Sequence, residues 1–185
     1  QETLVFQVNG YLTAFCTSNL LSAIWVANYP CFYRPTVDEA SNSIICTTWQ
    51  QSVQRIDSDG SVIWVLTGLE PMFTASVVGG LVYFVDNHAT LYGVSLAPNA
   101  PPVPPLPTVL YENYAPHGAN YLATCPVTVA SLSGAFVCYS DETGKNTVRY
   151  LNPSNPSLNG PTSTFNSTAR FVFPPIAVTN STAIT

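Results

Sequence analysis

Short apolar runs recur along this chain, each closed by Gly, Asn, Asp or Pro, and helix signals are nearly absent. The pattern is clearest in the middle. Thr74-Ala75-Ser76-Val77-Val78 and Leu81-Val82-Tyr83-Phe84-Val85 flank Gly79-Gly80, a pair suited to a tight hairpin turn because glycine tolerates positive φ. Asp86 to Thr90 then turns the chain into Leu91-Tyr92-Gly93-Val94-Ser95-Leu96, and Thr108-Val109-Leu110-Tyr111 supplies a fourth strand. Earlier, Ile44-Ile45-Cys46, Ser52 to Ile56, the turn Asp57-Ser58-Asp59-Gly60 and Val62-Ile63-Trp64-Val65-Leu66 repeat that order. Later, Val127 to Ala130, Ser133-Gly134, Ala135-Phe136-Val137-Cys138, Asp141 to Gly144 and Thr147 to Leu151 repeat it again.

The N-terminus reads as three strands of such a unit: Leu4-Val5-Phe6-Gln7-Val8, then Asn9-Gly10, Tyr11 to Phe15, and Ala23-Ile24-Trp25-Val26. The extended run Ile176-Ala177-Val178-Thr179 after Pro174-Pro175 would supply the strand that this unit lacks. Taking Val5, Ile44, Val82 and Phe136 as equivalent, the spacings are 39, 38 and 54, and passing around the chain ends gives another 54. These bracket the ~40–50 residues of a four-stranded propeller blade. The expected fold is therefore all-β: one domain over 1–185, a four-bladed β-propeller whose first blade is shared between the termini. Its units are 172–185 plus 1–28, then 33–67, 71–112 and 121–165. A β-sandwich is the alternative, since it too has short strands with frequent turns.

Asp57 to Trp64, Gly80-Leu81-Val82-Tyr83 with Leu91-Tyr92-Gly93-Val94, and Gly10 to Phe15 with Ala23-Ile24-Trp25 resemble the repeats of pyrroloquinoline-quinone-like propellers. That pattern has a Gly before an aromatic strand and a Trp that docks on its neighbour. The Thr-Gly step of the pattern is missing before both tryptophans, and the fourth unit has no docking Trp. The resemblance implies a propeller, and the family contains both quinone-dependent dehydrogenases and non-catalytic scaffolds.

Composition narrows the partners. Apolar residues make up 46% of the chain and charged ones 8%, with Lys145 the lone lysine, so no basic stripe exists to neutralise phosphates. No apolar run reaches the ~18 residues of a membrane-spanning helix. The chain opens with Gln1, without an initiator Met or an apolar signal segment, which reads as a mature secreted chain. The sequons Asn166-Ser167-Thr168 and Asn180-Ser181-Thr182 agree with secretion and predict N-linked sugars at Asn166 and Asn180. The run Pro98 to Pro107 reads as polyproline II, a stiff connection that could also carry O-linked sugars.

In the second and fourth units one cysteine enters the unit and another sits on the second strand. Repeat equivalence predicts the disulfides Cys31–Cys46 and Cys125–Cys138, leaving Cys16 outside both. No cofactor, metal or catalytic set is expected. His88 and His117 lie in turn-like contexts without metal spacing, and Asp57-Ser58-Asp59-Gly60 lacks the distal acid of a calcium loop. The neighbours Asp38-Glu39 and Asp141-Glu142 would face opposite sides of a strand. The expected function is a secreted, non-enzymatic structural or interaction propeller. It would join copies of itself by pairing Ile176 to Thr179 with Leu4, Val5 and Phe6, as in a filament. The alternatives are a quinoprotein-like oxidoreductase and a glycan-binding propeller that stacks sugars on Tyr11, Tyr83 or Tyr92.

Overall fold

The computed structural model describes residues 3–48, 50–96, 107–111, 122–123, 128–131, 134–140, 145–152, 162–165, 176–178 and 182–184. All regular structure among them is β-strand, and every pairing is antiparallel. The first sheet has the order β1 (Thr3–Val8), β2 (Tyr11–Cys16), β3 (Asn19–Pro30). The second runs β4 (Thr36–Asp38), β5 (Ser43–Thr47), β6 (Val53–Asp57), β7 (Val62–Leu66). The third runs β8 (Pro71–Val78), β9 (Leu81–Asp86), β10 (Leu91–Ser95), β11 (Thr108–Tyr111). In the fourth, β12 (Leu122–Ala123) and β13 (Thr128–Ser131) share one edge of β14 (Gly134–Ser140), whose other edge carries β15 (Asn146–Leu151) and then β16 (Thr162–Phe165). A fifth, two-stranded sheet pairs β17 (Ile176–Val178) with β18 (Thr182–Ile184).

Turn chemistry sets the registers. Asn9 and Gly10 have φ of 51° and 87°, and Gly79 and Gly80 have 59° and 75°. Two successive positive φ values make the two-residue turn whose twist matches that of the flanking strands. Val8 therefore faces Tyr11 and Val78 faces Leu81, as the alternation of the sequence requires.

The sheets stack one on the next rather than as the two layers of a sandwich. Three cores lie between consecutive sheets. Leu12 and Ala27 meet Ile44, Cys46 and Ile56; Ile45, Val53 and Trp64 meet Ala75, Val82 and Phe84; Tyr83, Val85 and Leu91 meet Ala135, Val137 and Leu151. Neighbouring residues on one strand thus serve different cores: Ile44 points one way and Ile45 the other, and Val82 and Phe84 oppose Tyr83 and Val85. A strand buried on both faces reads as a continuous apolar run rather than an alternation, which is why Leu81 to Val85 and Ile44 to Cys46 look as they do. The first strands of successive sheets also adjoin, β4 beside β8, β8 beside β13 and β13 beside β17.

The chain ends pair locally. Ile176–Val178 pairs with Thr182–Ile184, and Thr3–Val8 pairs with Tyr11–Cys16; the two segments do not pair with each other within this chain. The reason is local. A hairpin between residues four to eight apart forms without the two ends of the chain meeting. The first sheet keeps three strands, and the terminal segment starts a sheet of its own.

Candidate functional site

The first sheet is where the expected assembly residues lie, and its two faces differ. Val5, with Leu12 and Trp25, packs against the second sheet. Leu4 and Phe6 point to the other side, as strand alternation dictates, opposite Phe15 and Thr13 on β2. The Phe6 and Phe15 rings lie 6.0 Å apart there. Leu4, Phe6, Val8, Ile24 and Val26 are between 41% and 55% exposed, so this face is apolar and open. Among the described residues β1 has a partner on one edge only.

Trp25 locks this sheet to the next. Its indole Nε1 donates to the Ser58 carbonyl at 2.9 Å, and its ring lies over Gly60 in the β6–β7 turn. A Cβ at Gly60 would come within 2.6 Å of that ring, and the residue sits at φ 87°, so glycine is required twice over. The turn is closed by Gly60 N–H donating to Asp57 O at 3.0 Å and Ser61 N–H donating to Asp59 Oδ1 at 2.8 Å. Hydrogen bonds from Ser61 hold the Asp59 carboxyl below its usual range. The Asp-Ser-Asp-Gly run is thus a hairpin turn under a docked Trp, and no group of three or more metal-ligating side chains gathers among the described residues.

Beside Trp25, a cleft of about 550 Å³ opens between the first and second sheets. Leu4, Val5, Trp25, Val37 and Ile44 form its apolar part, and Thr3, Thr17, Asn42, Ser43 and Ser58 its polar part, with no charged side chain in the lining.

The disulfide Cys31–Cys46 is present, with both residues buried and their Cα atoms 5.7 Å apart. It ties the chain entering the second sheet to β5. Cys31 N–H donates to Gly10 O at 2.7 Å and Gln7 Nε2 donates to the Cys31 carbonyl at 2.6 Å, so the same point also anchors the first sheet. Cys138 is buried on β14, the strand equivalent to β5; its expected partner Cys125 lies outside the described residues, as do Asn166, Thr179, Asn180, His117, Asp141 and Glu142. Cys16 is buried at the end of β2, its sulfur 2.8 Å from the Ser18 hydroxyl.

One polar cluster had no signal in the sequence. Buried Arg55 donates from Nε to Ser43 Oγ and from Nη1 to the Leu96 carbonyl, both at 3.0 Å. Ser43 meets Ser41 at 2.8 Å, and Ser41 donates to the carboxylate of buried Asp38. A cation and an anion thus share the second sheet through two hydroxyls, and the cation reaches the third sheet at Leu96. Every link is between protein groups, so the cluster fastens sheets together. Leu96 lies 41 residues from Arg55, too far for spacing to reveal.

The tyrosines weighed for sugar stacking divide. Tyr83 is buried in the core between the third and fourth sheets. Tyr92 stacks on Phe84 with ring centroids 5.3 Å apart and donates its hydroxyl to Asp86 at 3.2 Å. Tyr11 is exposed, at the end of the open face of the first sheet. His88 is an exposed turn residue whose N–H donates to Asp86.

No family model matches the chain, and no curated protein matches it. Among solved structures, it is similar to the crystal structure of BamB from Moraxella catarrhalis, a β-propeller of pyrroloquinoline-quinone-like repeats, with a TM-score of 0.65 at 13% identity. The match takes in 95% of this chain and 49% of the BamB chain, so this chain spans about half the length of that propeller. With its stacked antiparallel sheets, its docked Trp25 and this likeness, the chain has a β-propeller-like fold.

Proposed function

We propose that this chain is a secreted, non-enzymatic structural or interaction module of the propeller class, joined to copies of itself through the first sheet. The observation that carries this reading is the state of β1: an edge strand with one side unpaired among the described residues, carrying exposed Leu4 and Phe6. Such an edge presents a row of backbone donors and acceptors, a template for strand addition. Residues 176–179 of another copy are the segment suited to it. That segment would exchange its three-pair hairpin partner β18 for β1, and the first sheet would gain the fourth strand that the second and third possess. Sugars on Asn166 and Asn180 would supply the hydrophilic coat that a chain with 8% charged residues lacks. The buried Cys31–Cys46 disulfide is compatible with an oxidising, extracellular setting.

Light scattering after size exclusion tests the reading. The intact chain is expected to self-associate and a chain lacking 174–185 to run as a monomer; truncation without effect on association would refute strand exchange.

A second reading, binding of a small neutral glycan, has one observation in its favour: the uncharged cleft beside Trp25. Tryptophan fluorescence that fails to respond to neutral oligosaccharides in the millimolar range would remove it.

A further inference from the structure

The cleft of about 550 Å³ between the first and second sheets falls within the size range of small-molecule sites. Its floor follows from strand alternation. Val5 and Ile44 point into the space between these two sheets, and Trp25 packs beside them. Val37 stands directly opposite Ile44 across β4 and β5, so it lies on the same side. Thr3, two residues before Val5 on β1, shares the Val5 face and reaches the rim. Thr17 and Asn42 come to the same rim from two further places, the β2–β3 and β4–β5 turns. Among the described residues, the side chains of Thr3, Thr17 and Asn42 hold no hydrogen bond within the protein. Asn42 has a local reason to be asparagine, because φ there is 51° and Asn tolerates the left-handed region. That accounts for the residue type and leaves its carboxamide unused.

We propose that the cleft is a binding site for an uncharged sugar, whose less polar ring face lies on Val5, Trp25 and Ile44 and whose hydroxyls meet Thr3, Thr17 and Asn42. Three properties select that chemistry. The lining has no cation to hold a phosphate or carboxylate, and no carboxylate to hold an amine. A wholly apolar ligand would bury the hydroxyls and the amide of the rim without partners, which costs free energy. The Asn42 carboxamide donates through its nitrogen and accepts through its oxygen, so it meets two neighbouring hydroxyls of one ring at once. This inference rests on the second reading above, neutral-glycan binding. It adds the floor that receives the ring, the side chains that recognise it and a discrimination against charged sugars.

The test is a heteronuclear NMR titration of the intact chain with neutral methyl glycosides of glucose, galactose, mannose and N-acetylglucosamine, and with glucuronate as the charged counterpart. At millimolar sugar the Trp25 indole N–H signal should move, because that residue and its acceptor Ser58 line the cleft, while the signal of buried Trp64 stays fixed. Glucuronate should bind at least about tenfold more weakly than the neutral sugars that bind, because its carboxylate would lose water without gaining a partner. Asn42→Gly is the variant. Glycine accepts the positive φ, so the turn persists while the carboxamide is lost, and sugar affinity should fall about tenfold. Thr17→Val keeps the shape of the side chain without its hydroxyl and should weaken binding in the same direction. Val109→Thr, at an exposed position on β11 of the third sheet, is the control and should bind as the wild type does. A sugar that binds without moving Trp25, and equally well to Asn42→Gly, would overturn the cleft as the site and leave glycan binding standing. Glucuronate binding as tightly as the neutral sugars would overturn the selection for an uncharged ligand. No response to any of the neutral sugars would overturn both the site and the reading it rests on.

Discussion

Gly60 concentrates the residue-scale argument, because backbone strain and side-chain contact coincide there. Gly60→Ala should cost about 2–4 kcal/mol, from the positive φ together with the clash against Trp25. Gly68→Ala, with φ 77° but nothing within 4 Å of the added methyl, should cost only about 1 kcal/mol. Urea denaturation of both variants reads the difference; equal costs would mean that Trp25 does not press on the turn. Tyr83 gives a pH prediction. Burial between the third and fourth sheets pushes its phenol above the ordinary value. The unfolded chain therefore ionises first, and the stability held below the unfolded pKa of about 10 falls as pH rises beyond it. Thermal melts from pH 9 to 11 should show this decline, and Tyr83→Phe should make it shallower; an unchanged slope would remove Tyr83 from the account. The Trp25 contact was foreshadowed in the sequence, because a docking Trp and an Asp-x-Asp-Gly turn are both local patterns. The Arg55 cluster was not, because it depends on a carbonyl 41 residues away and on two serines in a Ser-rich chain.

At the scale of elements, the strands that are buried on both faces were the easiest to read. Leu81 to Val85 and Ile44 to Cys46 are continuous apolar runs, and both lie within strands. The short first strand β4 and the pair β12 and β13 carry little apolar signal of their own and are defined by what they pair with. Within this chain Ile176 to Val178 pairs with Thr182 to Ile184, a partner the sequence did not reveal, since an apolar extended run announces a strand but not which edge it will take. The Cys31–Cys46 pair followed from its repeated position and bears a stability prediction. Closing a fifteen-residue loop contributes about 3 kcal/mol in the chain-entropy model. Because both cysteines are buried, mild reductant should leave the bond intact in the native protein. Reduction in denaturant followed by alkylation and refolding should then lower the unfolding free energy by about that amount. Ready reduction under native conditions would contradict the burial.

For the whole molecule, the period of the units led to a propeller, and the stacked sheets and the likeness to BamB agree with that class. Ring closure was not legible, because spacing along a chain reports how many units it holds and not whether the last one touches the first. Among the described residues the cores join the first sheet to the second, the second to the third and the third to the fourth, and the first sheet keeps an apolar face and a free edge. That open end is the central claim, and amide hydrogen exchange along Thr3–Val8, followed by NMR over a range of protein concentrations, tests it most directly. At low concentration the amides on the free edge of β1 should exchange quickly while those bonded to β2 stay protected. Once copies associate, the edge amides should become as slow as the others. Edge amides that are protected even at the lowest concentration would show the ring closed within one chain, and edge amides that stay fast at every concentration would show that nothing joins it there.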